Sequence, residues 1–436
     1  MIEGGKGMKH IRSFKHGGIS LSGQTGRELP EISNAFLPNH ALVALREHEF
    51  EAETEIIVHE GQEVCEGQLL AKALGRNAVN VHAPVPGIIR KQLSVQSTNG
   101  FVSRAIVISL VGKFNLAGYP AENKFWRTLN RNEILYILQD RGIIRTATGQ
   151  ALHRLVADHQ QAASLLVNVL DMEVFSGFEA SILNQYTAEV VKACAMLLQA
   201  STMTEVIFAV NAQAGDCRRL HAEAQANKLP YRIEYFSPRY PHFFPNQVAE
   251  ALTGHKSGLS ALFVEPSTLV ATYQAINSNI PYLNQFVFLG GNALKQPSLL
   301  KVRLGTPIGK LIEECGGFVG TPDTIAVNNP LVNGYIEDLD MPVTKTTRAL
   351  WLLTRPETRQ SQQEVCMRCG NCIKACPERL NPYFMNTFIM AGQASLVTAQ
   401  LERCSGCAAC SYVCSSRIPL SVHFKQQQKA GATHEN

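Results

Sequence analysis

Eight of the twelve cysteines in this 436-residue chain lie between Cys366 and Cys414. They form two runs with one spacing, C-x2-C-x2-C-x3-C. The first is Cys366, Cys369, Cys372 and Cys376, followed by Pro377; the second is Cys404, Cys407, Cys410 and Cys414, followed by Ser415. Thiols clustered in this way hold metal. A structural zinc site takes four ligands, usually as two C-x2-C pairs. Here each run supplies three thiols from one short loop and a fourth beyond it, and the run is repeated. That points to two four-iron clusters. A disulfide framework is unexpected in a chain this long. Cys194 and Cys315, outside the runs, read as packing residues.

The spacing is that of bacterial two-cluster ferredoxins, where three cysteines wrap one cluster and the fourth ligates the other. One [4Fe–4S] cluster is therefore expected on Cys366, Cys369, Cys372 and Cys414. The second is expected on Cys404, Cys407, Cys410 and Cys376. Each fourth cysteine is expected to begin a helix. Between the runs, Tyr383, Phe384, Phe388, Ile389 and Met390 would form an apolar cover that excludes water and lowers the potentials. Arg368, Lys374, Arg379, Arg403 and Arg417 stand beside ligands, placed to raise potentials or to dock an acidic partner. The net charge of +4 comes wholly from this end: residues 355–436 hold nine Lys/Arg and five Glu, so 9 − 5 = +4. Oxidised four-iron clusters with four thiolates carry roughly −2 each, so two would offset that excess.

Something must hold these loops. Apolar content of 45% and charged content of 17% describe an ordinary globular chain, long enough for several domains. No apolar run reaches the roughly 18 residues that span a bilayer, and "MIEGGKGMKH" lacks a signal peptide's apolar core. The chain reads as soluble or peripheral, and the weak net charge gives no case for nucleic acid.

The expected fold is multidomain α/β plus β. Residues 9–118 read as a barrel-sandwich β domain: "EIIVHEGQEVCEGQLLAKAL" gives two short strands around Gly61, and "VHAPVPGIIRKQLSV" turns at Pro84–Gly87 into another. Lipoyl and biotinyl carriers share this pattern, but the hairpin tip "GRNAVN" has no lysine to carry a cofactor, so it is a scaffold. Residues 125–274 alternate strands and helices, a Rossmann-like α/β domain with a mostly parallel sheet; "EASILNQYTAEVVKACAMLLQA" reads as one long amphipathic helix. Residues 281–353 form a β-grasp, SLBB-like unit, with Thr306 expected to cap a helix that Gly316 or Gly317 ends. "RPETRQSQQE" is a linker, residues 360–424 are the two-cluster ferredoxin-like α domain, and the tail "KQQQKAGATHEN" is expected to fray.

The order of these parts, with "FKHGGISLSG" and "VHAPVPGIIR" at the start, "KVRLGTPIGKLIEECGG" and "PVTKTT" later, and the two cysteine runs last, resembles the RnfC family over nearly the whole chain. Members of that family are the C components of Rnf-type electron transport complexes. The resemblance implies a peripheral subunit on the cytoplasmic side of the inner membrane. Its complex would couple electron flow between NADH and ferredoxin to ion translocation, with membrane and redox subunits as partners. In that family the α/β domain binds FMN and NADH. Here its loops depart from the family pattern. The glycine-rich G-L-G-G-A-G-F-P becomes "IIRTATGQALHRL", with only Gly149 left. E-C-E-P-Y stands as Asp171-Met172-Glu173-Val174-Phe175. Y-P-x-G-x-E stands as "YPHFFPN", with Phe243 for glycine, and G-G-P-M-M-G as "NNPLVNG". The loops have changed while all eight cysteines are kept.

The expectation is a retained fold that has lost NADH oxidation, and FMN with it. Electrons would come from another donor, a ferredoxin or flavoprotein. No catalytic residue is assigned, and Asp171 and Glu173 are expected to remain as a structural pair. The alternatives are an NADH-dehydrogenase module with a diverged FMN site, and an assembly scaffold with structural clusters.

Overall fold

The computed structural model describes residues 10–21, 30–46, 53–98, 100–114, 126–174, 176–213, 217–332, 334–354 and 363–432. Phe175, Asn333 and the linker at 355–362 lie outside them, as do residues 433–436 of the tail.

The run "SLLVN" is apolar on both faces, as a central parallel strand must be. It forms the strand Ser164–Asn168, buried at every position. Glu205–Asn211 pairs parallel to one side of it and Ala261–Val264 to the other, with Tyr231–Phe236 beyond Glu205–Asn211. In chain order this is 3-2-1-4. The sheet changes direction of growth between its first and fourth strands, and in open α/β sheets that switch opens the ligand crevice at the strands' carboxyl ends. Helix Pro266–Ser278 begins at that end of the fourth strand. It runs past 274, so the division expected there falls inside a helix.

The long helix expected over 179–200 is two helices, Phe178–Gln185 and Thr187–Gln199. Tyr186 leaves helical geometry between them, and the Thr187 hydroxyl donates to the Leu183 carbonyl at 2.7 Å. Cys194 is buried in the resulting core, as expected.

The β domain forms two facing sheets around Val43, Val64, Leu70, Val81, Ile89, Ile106 and neighbours. The stretch read as two strands holds three, Thr54–Ile56, Glu63–Val64 and Leu69–Ala73, because its turns at Gly61 and Gly67 each break the ladder. The "GRNAVN" tip does not project. Asn80 Nδ2 donates to Asp140 at 2.9 Å, and His153 Nε2 lies 2.9 Å from the Arg76 carbonyl. The tip is fastened to the α/β layer.

The third unit is a six-stranded mixed sheet built on the hairpin Asn284–Gly290 and Ser298–Arg303, with helix Ile308–Glu314 packed against it. Thr306 does not cap that helix. Its hydroxyl donates back to the Arg303 carbonyl at 2.8 Å, and Pro307 is the capping position. Gly316 and Gly317 both take positive φ, and Cys315 is buried in this core.

Residues 10–21 and 30–34 do not belong to the β domain alone. Ile11–Arg12 adds a parallel strand beside Tyr231–Phe236, and Ile32–Asn34 adds one beside Ser298–Arg303. Nor does the described part of the tail fray: helix Leu420–Ala432 takes it up, with Phe424 buried and Gln428 donating to the Leu401 carbonyl at 2.6 Å. Among the described residues no helix is long and apolar enough to cross a membrane.

Candidate metal centres and the strand-end crevice

The two cysteine runs share a backbone conformation, residue for residue. Two and four places after its first cysteine, each run turns left-handed: Arg368 and Gly370 in one, Gly406 and Ala408 in the other. Three places after the fourth cysteine the same occurs at Arg379 and Arg417. Left-handed residues in such loops turn successive N–H groups inward, a concavity suited to anionic sulfur. Arg368 N–H donates to Cys366 Sγ at 3.4 Å. Leu380 and Ile418 N–H donate to Cys376 and Cys414 Sγ, each at 3.4 Å. Each fourth cysteine follows a helical turn rather than beginning one. Asn371–Ala375 precedes Cys376 and Ala409–Tyr412 precedes Cys414, because the left-handed residue starts the turn inside the run.

The runs exchange their last members in space. Cys366, Cys369, Cys372 and Cys414 line one cavity of about 140 Å³, with Met367, Ile373, Tyr383 and Leu420 among its other walls. Cys376, Cys404, Cys407 and Cys410 line a second, tighter cavity of about 20 Å³, with Leu380, Met385 and Phe424. Among the described residues no group of three or more His, Cys, Asp or Glu is close enough to grip a single ion. Four thiols spread around an apolar space suit a polynuclear cluster better than one zinc. Burial raises the Cys407 thiol to about 11 and pushes Cys404, Cys410, Cys372 and Cys376 up as well. Such thiols stay neutral at pH 7 without a cation, and metal binding releases their protons.

The expected apolar cover is partial. Phe388 and Ile389 pack on the cysteine core, whereas Phe384 and Met390 are exposed. All five basic residues beside the ligands are exposed.

The cavities differ in surroundings. Cys369 of the first is exposed. The second is pressed into the body of the molecule, where Cys407 and Ala409 pack with Leu166, Leu170, Tyr240 and Phe243. Tyr240 donates its hydroxyl to the Cys407 carbonyl at 2.6 Å. Lys256 Nζ reaches Glu378 at 2.5 Å and the Pro377 carbonyl at 2.7 Å. Gly18 N–H donates to the Ala375 carbonyl at 2.8 Å, and a Cβ at Gly17 would stand 2.3 Å from the Cys376 oxygen. The "HGG" motif is therefore a close backbone contact with the second cysteine cavity. Its place in the sequence marked the motif without revealing this role, and nothing local in the sequence pointed to Tyr240 or Lys256.

At the switch point the loops that differ from the family pattern meet one another. Asp171 and Glu173 have different hydrogen-bond and ion-pair partners. Asp171 accepts from Ser176 and the Gly177 N–H, while Glu173 turns to Arg348 at 2.7 Å. Arg348 also donates to Glu179 at 2.7 Å. Arg145, from the loop that stands where the family pattern has its glycines, meets Glu265 at 2.7 Å. Thr146 joins Ser267 and Thr268 through its hydroxyl and backbone N–H. Burial raises Glu173 to about 7 and Glu179 to about 8, against the opposing pull of Arg348.

Residues 13–113 match the family model "RnfC Barrel sandwich hybrid domain", and residues 286–333 match "SLBB domain". The chain is 26% identical over 385 residues to the C subunit of the ion-translocating oxidoreductase complex of Rhodobacter capsulatus, covering 83% of this chain and 72% of that one. It is 25% identical over 371 residues to the C subunit of the proton-translocating ferredoxin:NAD(+) oxidoreductase complex of Clostridium ljungdahlii, covering 81% and 79%. Against the C subunit of the ion-translocating oxidoreductase complex of Yersinia enterocolitica it is 25% identical and spans about half (51%) of the relative's length. A chain of a NAD+-reducing [NiFe]-hydrogenase superposes with a TM-score of 0.49 at 14% identity, covering 72% of this chain and 63% of that one. The chain is thus a distant relative of the C subunits of ion-translocating oxidoreductase complexes over most of its length.

Proposed function

With that kinship as premise, we propose that the chain is the C subunit of an Rnf-like complex and relays electrons through two [4Fe–4S] clusters. The observation that carries this is the sorting of eight cysteines, four and four, onto two cavities with the last cysteine of each run exchanged. Cys366, Cys369, Cys372 and Cys414 would hold one cluster; Cys404, Cys407, Cys410 and Cys376 the other. A bound cluster supplies reversible one-electron storage at a potential set by its surroundings. The chain's part is to set those surroundings. Backbone N–H groups of Arg368, Leu380 and Ile418 stabilise charge on sulfur, and Leu380, Met385 and Phe424 keep water from the second cavity.

The α/β domain serves as scaffold and not as an NADH dehydrogenase. Among the described residues, Arg145, Arg348 and the Ser267 N–H at the switch point are engaged by Glu265, Glu173 and Glu179, which argues against a phosphate cradle there. Electrons then come from a ferredoxin or flavoprotein donor. The other partners are the membrane and redox subunits of the complex, with this chain peripheral on the cytoplasmic side.

Anaerobic reconstitution tests this. The expected result is about eight iron and eight sulfide per chain, reversible titration of both clusters, reduction by dithionite, and no reduction by NADH with added FMN. Zinc in place of iron, or clusters that do not cycle, would favour an assembly scaffold. Rapid reduction by NADH with stoichiometric FMN retained would restore the dehydrogenase reading.

A further inference from the structure

Among the described residues the largest fully buried side chain is a cation, Arg348. It comes from the β-grasp unit, one residue before the strand Ala349–Leu353, yet its side chain enters the α/β domain. There it lies between a glutamate that follows the first strand of the switch, Glu173, and another at the start of the next helix, Glu179. Its guanidinium carbon stands 5.1 Å from the centre of the Phe178 ring. A planar cation held by two carboxylates over an aromatic face is how a protein binds a guanidinium ligand.

The anion-binding capacity of this crevice is already consumed. The helix Pro266–Ser278 starts here, and such N-termini attract phosphate. Its Ser267 N–H donates to Glu179 at 2.9 Å, and its Ser267 hydroxyl donates to the same carboxylate at 2.7 Å. Three carboxyl groups, Glu173, Glu179 and Glu265, meet the two guanidinium groups of Arg145 and Arg348, so each cation is already matched by an acid. Even so, among the described residues Nη1 of Arg348 and Oε2 of Glu173 have no hydrogen-bond partner, both fully enclosed. A phosphate would find both cations already engaged by carboxyl groups. Removal of Arg348 would leave two buried carboxylates facing a space shaped by a guanidinium.

We propose that Arg348 is a built-in ligand: its guanidinium is the resident occupant of the switch-point crevice, which is a site for a planar cation and not for a nucleotide phosphate. This deepens the scaffold reading of the α/β domain. It also gives the crevice a ligand class of its own.

The test uses the full chain with Arg348→Ala, melted with increasing guanidinium chloride up to about 20 mM, against sodium chloride and urea at matching concentrations. The expected result is a saturable rise of several degrees with guanidinium alone, absent in wild type and lost when Glu173→Gln and Glu179→Gln are added. Should Arg348→Ala fold only when guanidinium is present during purification, and lose its fold on dialysis, that dependence is the same result. An Arg348→Ala protein indifferent to guanidinium overturns the proposal. So does Arg348→Met melting at the wild-type temperature, which would make the side chain mere filling, and so does a gain of FMN binding by Arg348→Ala. Iron and sulfide content, measured on the same samples, reports on the electron-relay reading and not on this one.

Discussion

In the switch-point crevice, carboxylates face guanidinium groups and a helix N–H, all supplied by the chain. In the cysteine cavities, four thiols apiece line apolar walls, and backbone N–H groups donate to the sulfurs of Cys366, Cys376 and Cys414. One place sets charged side chains of the chain against one another; the other gathers thiol donors. Internal satisfaction is what a protein builds where a ligand is not wanted, since a buried unpaired charge is costly. Thiols converging on a space are what it builds where a metal will supply the charge. On the proposed reading, the cysteine cavities are the site in use and the crevice belongs to the scaffold.

The sharpest way to break this comparison is at the thiols themselves. Cys410→Ser should remove one cluster, about four of about eight irons, and should also lower the melting temperature, because that cavity is pressed against the α/β domain. Cys369→Ser should cost the same iron with a smaller thermal effect, since Cys369 is exposed. Iron assays and melting curves on the two variants check this; equal thermal losses would mean the cavities are not differently embedded.

A smaller effect is expected at the seam. Gly17→Ala would place a Cβ 2.3 Å from the Cys376 carbonyl at a φ of +66°. Moving one backbone away from the other should cost roughly 1–3 kcal/mol, read as a lower denaturant midpoint, with both clusters retained. A variant as stable as wild type would show that the "HGG" contact is not tight.

The mildest expectation concerns pH. Glu173 and Glu179 hold a proton in the folded chain up to about 7 and 8, while the unfolded chain releases it near 4.5. Between those values the folded state binds more protons, so this pair's contribution to stability falls as pH rises. The melting temperature should decline across that window, and Glu179→Gln should flatten the decline. A wild-type curve that rises from pH 5 to 8 would show both carboxylates fully ionised against Arg348.

The cysteine spacing made the candidate metal residues legible because their geometry is local: three thiols within seven residues can only form a loop. The alternation of strands and helices gave the central layer for the same reason. What the sequence hid are contacts at long range. Arg348 and Glu179 are 169 residues apart and Tyr240 and Cys407 are 167 apart, with no periodicity to join them. Thr306 had the right type and place for a cap, but a nearby carbonyl took its hydroxyl. The break at Tyr186 lay inside an unbroken amphipathic pattern, and Gln428 fixed a tail whose composition suggested none of its contacts.

The strand Ile11–Arg12 and the glycines that follow it carry a consequence for synthesis. Arg12 pairs with Glu234, 222 residues later, and Gly18 bonds to Ala375, later still. At about 5–20 residues per second, the opening segment leaves the ribosome roughly ten seconds to a minute before its partners exist. The piece made earlier must wait for the piece made later. The contact of Gly18 with the second cysteine cavity can form only after residue 375 has emerged.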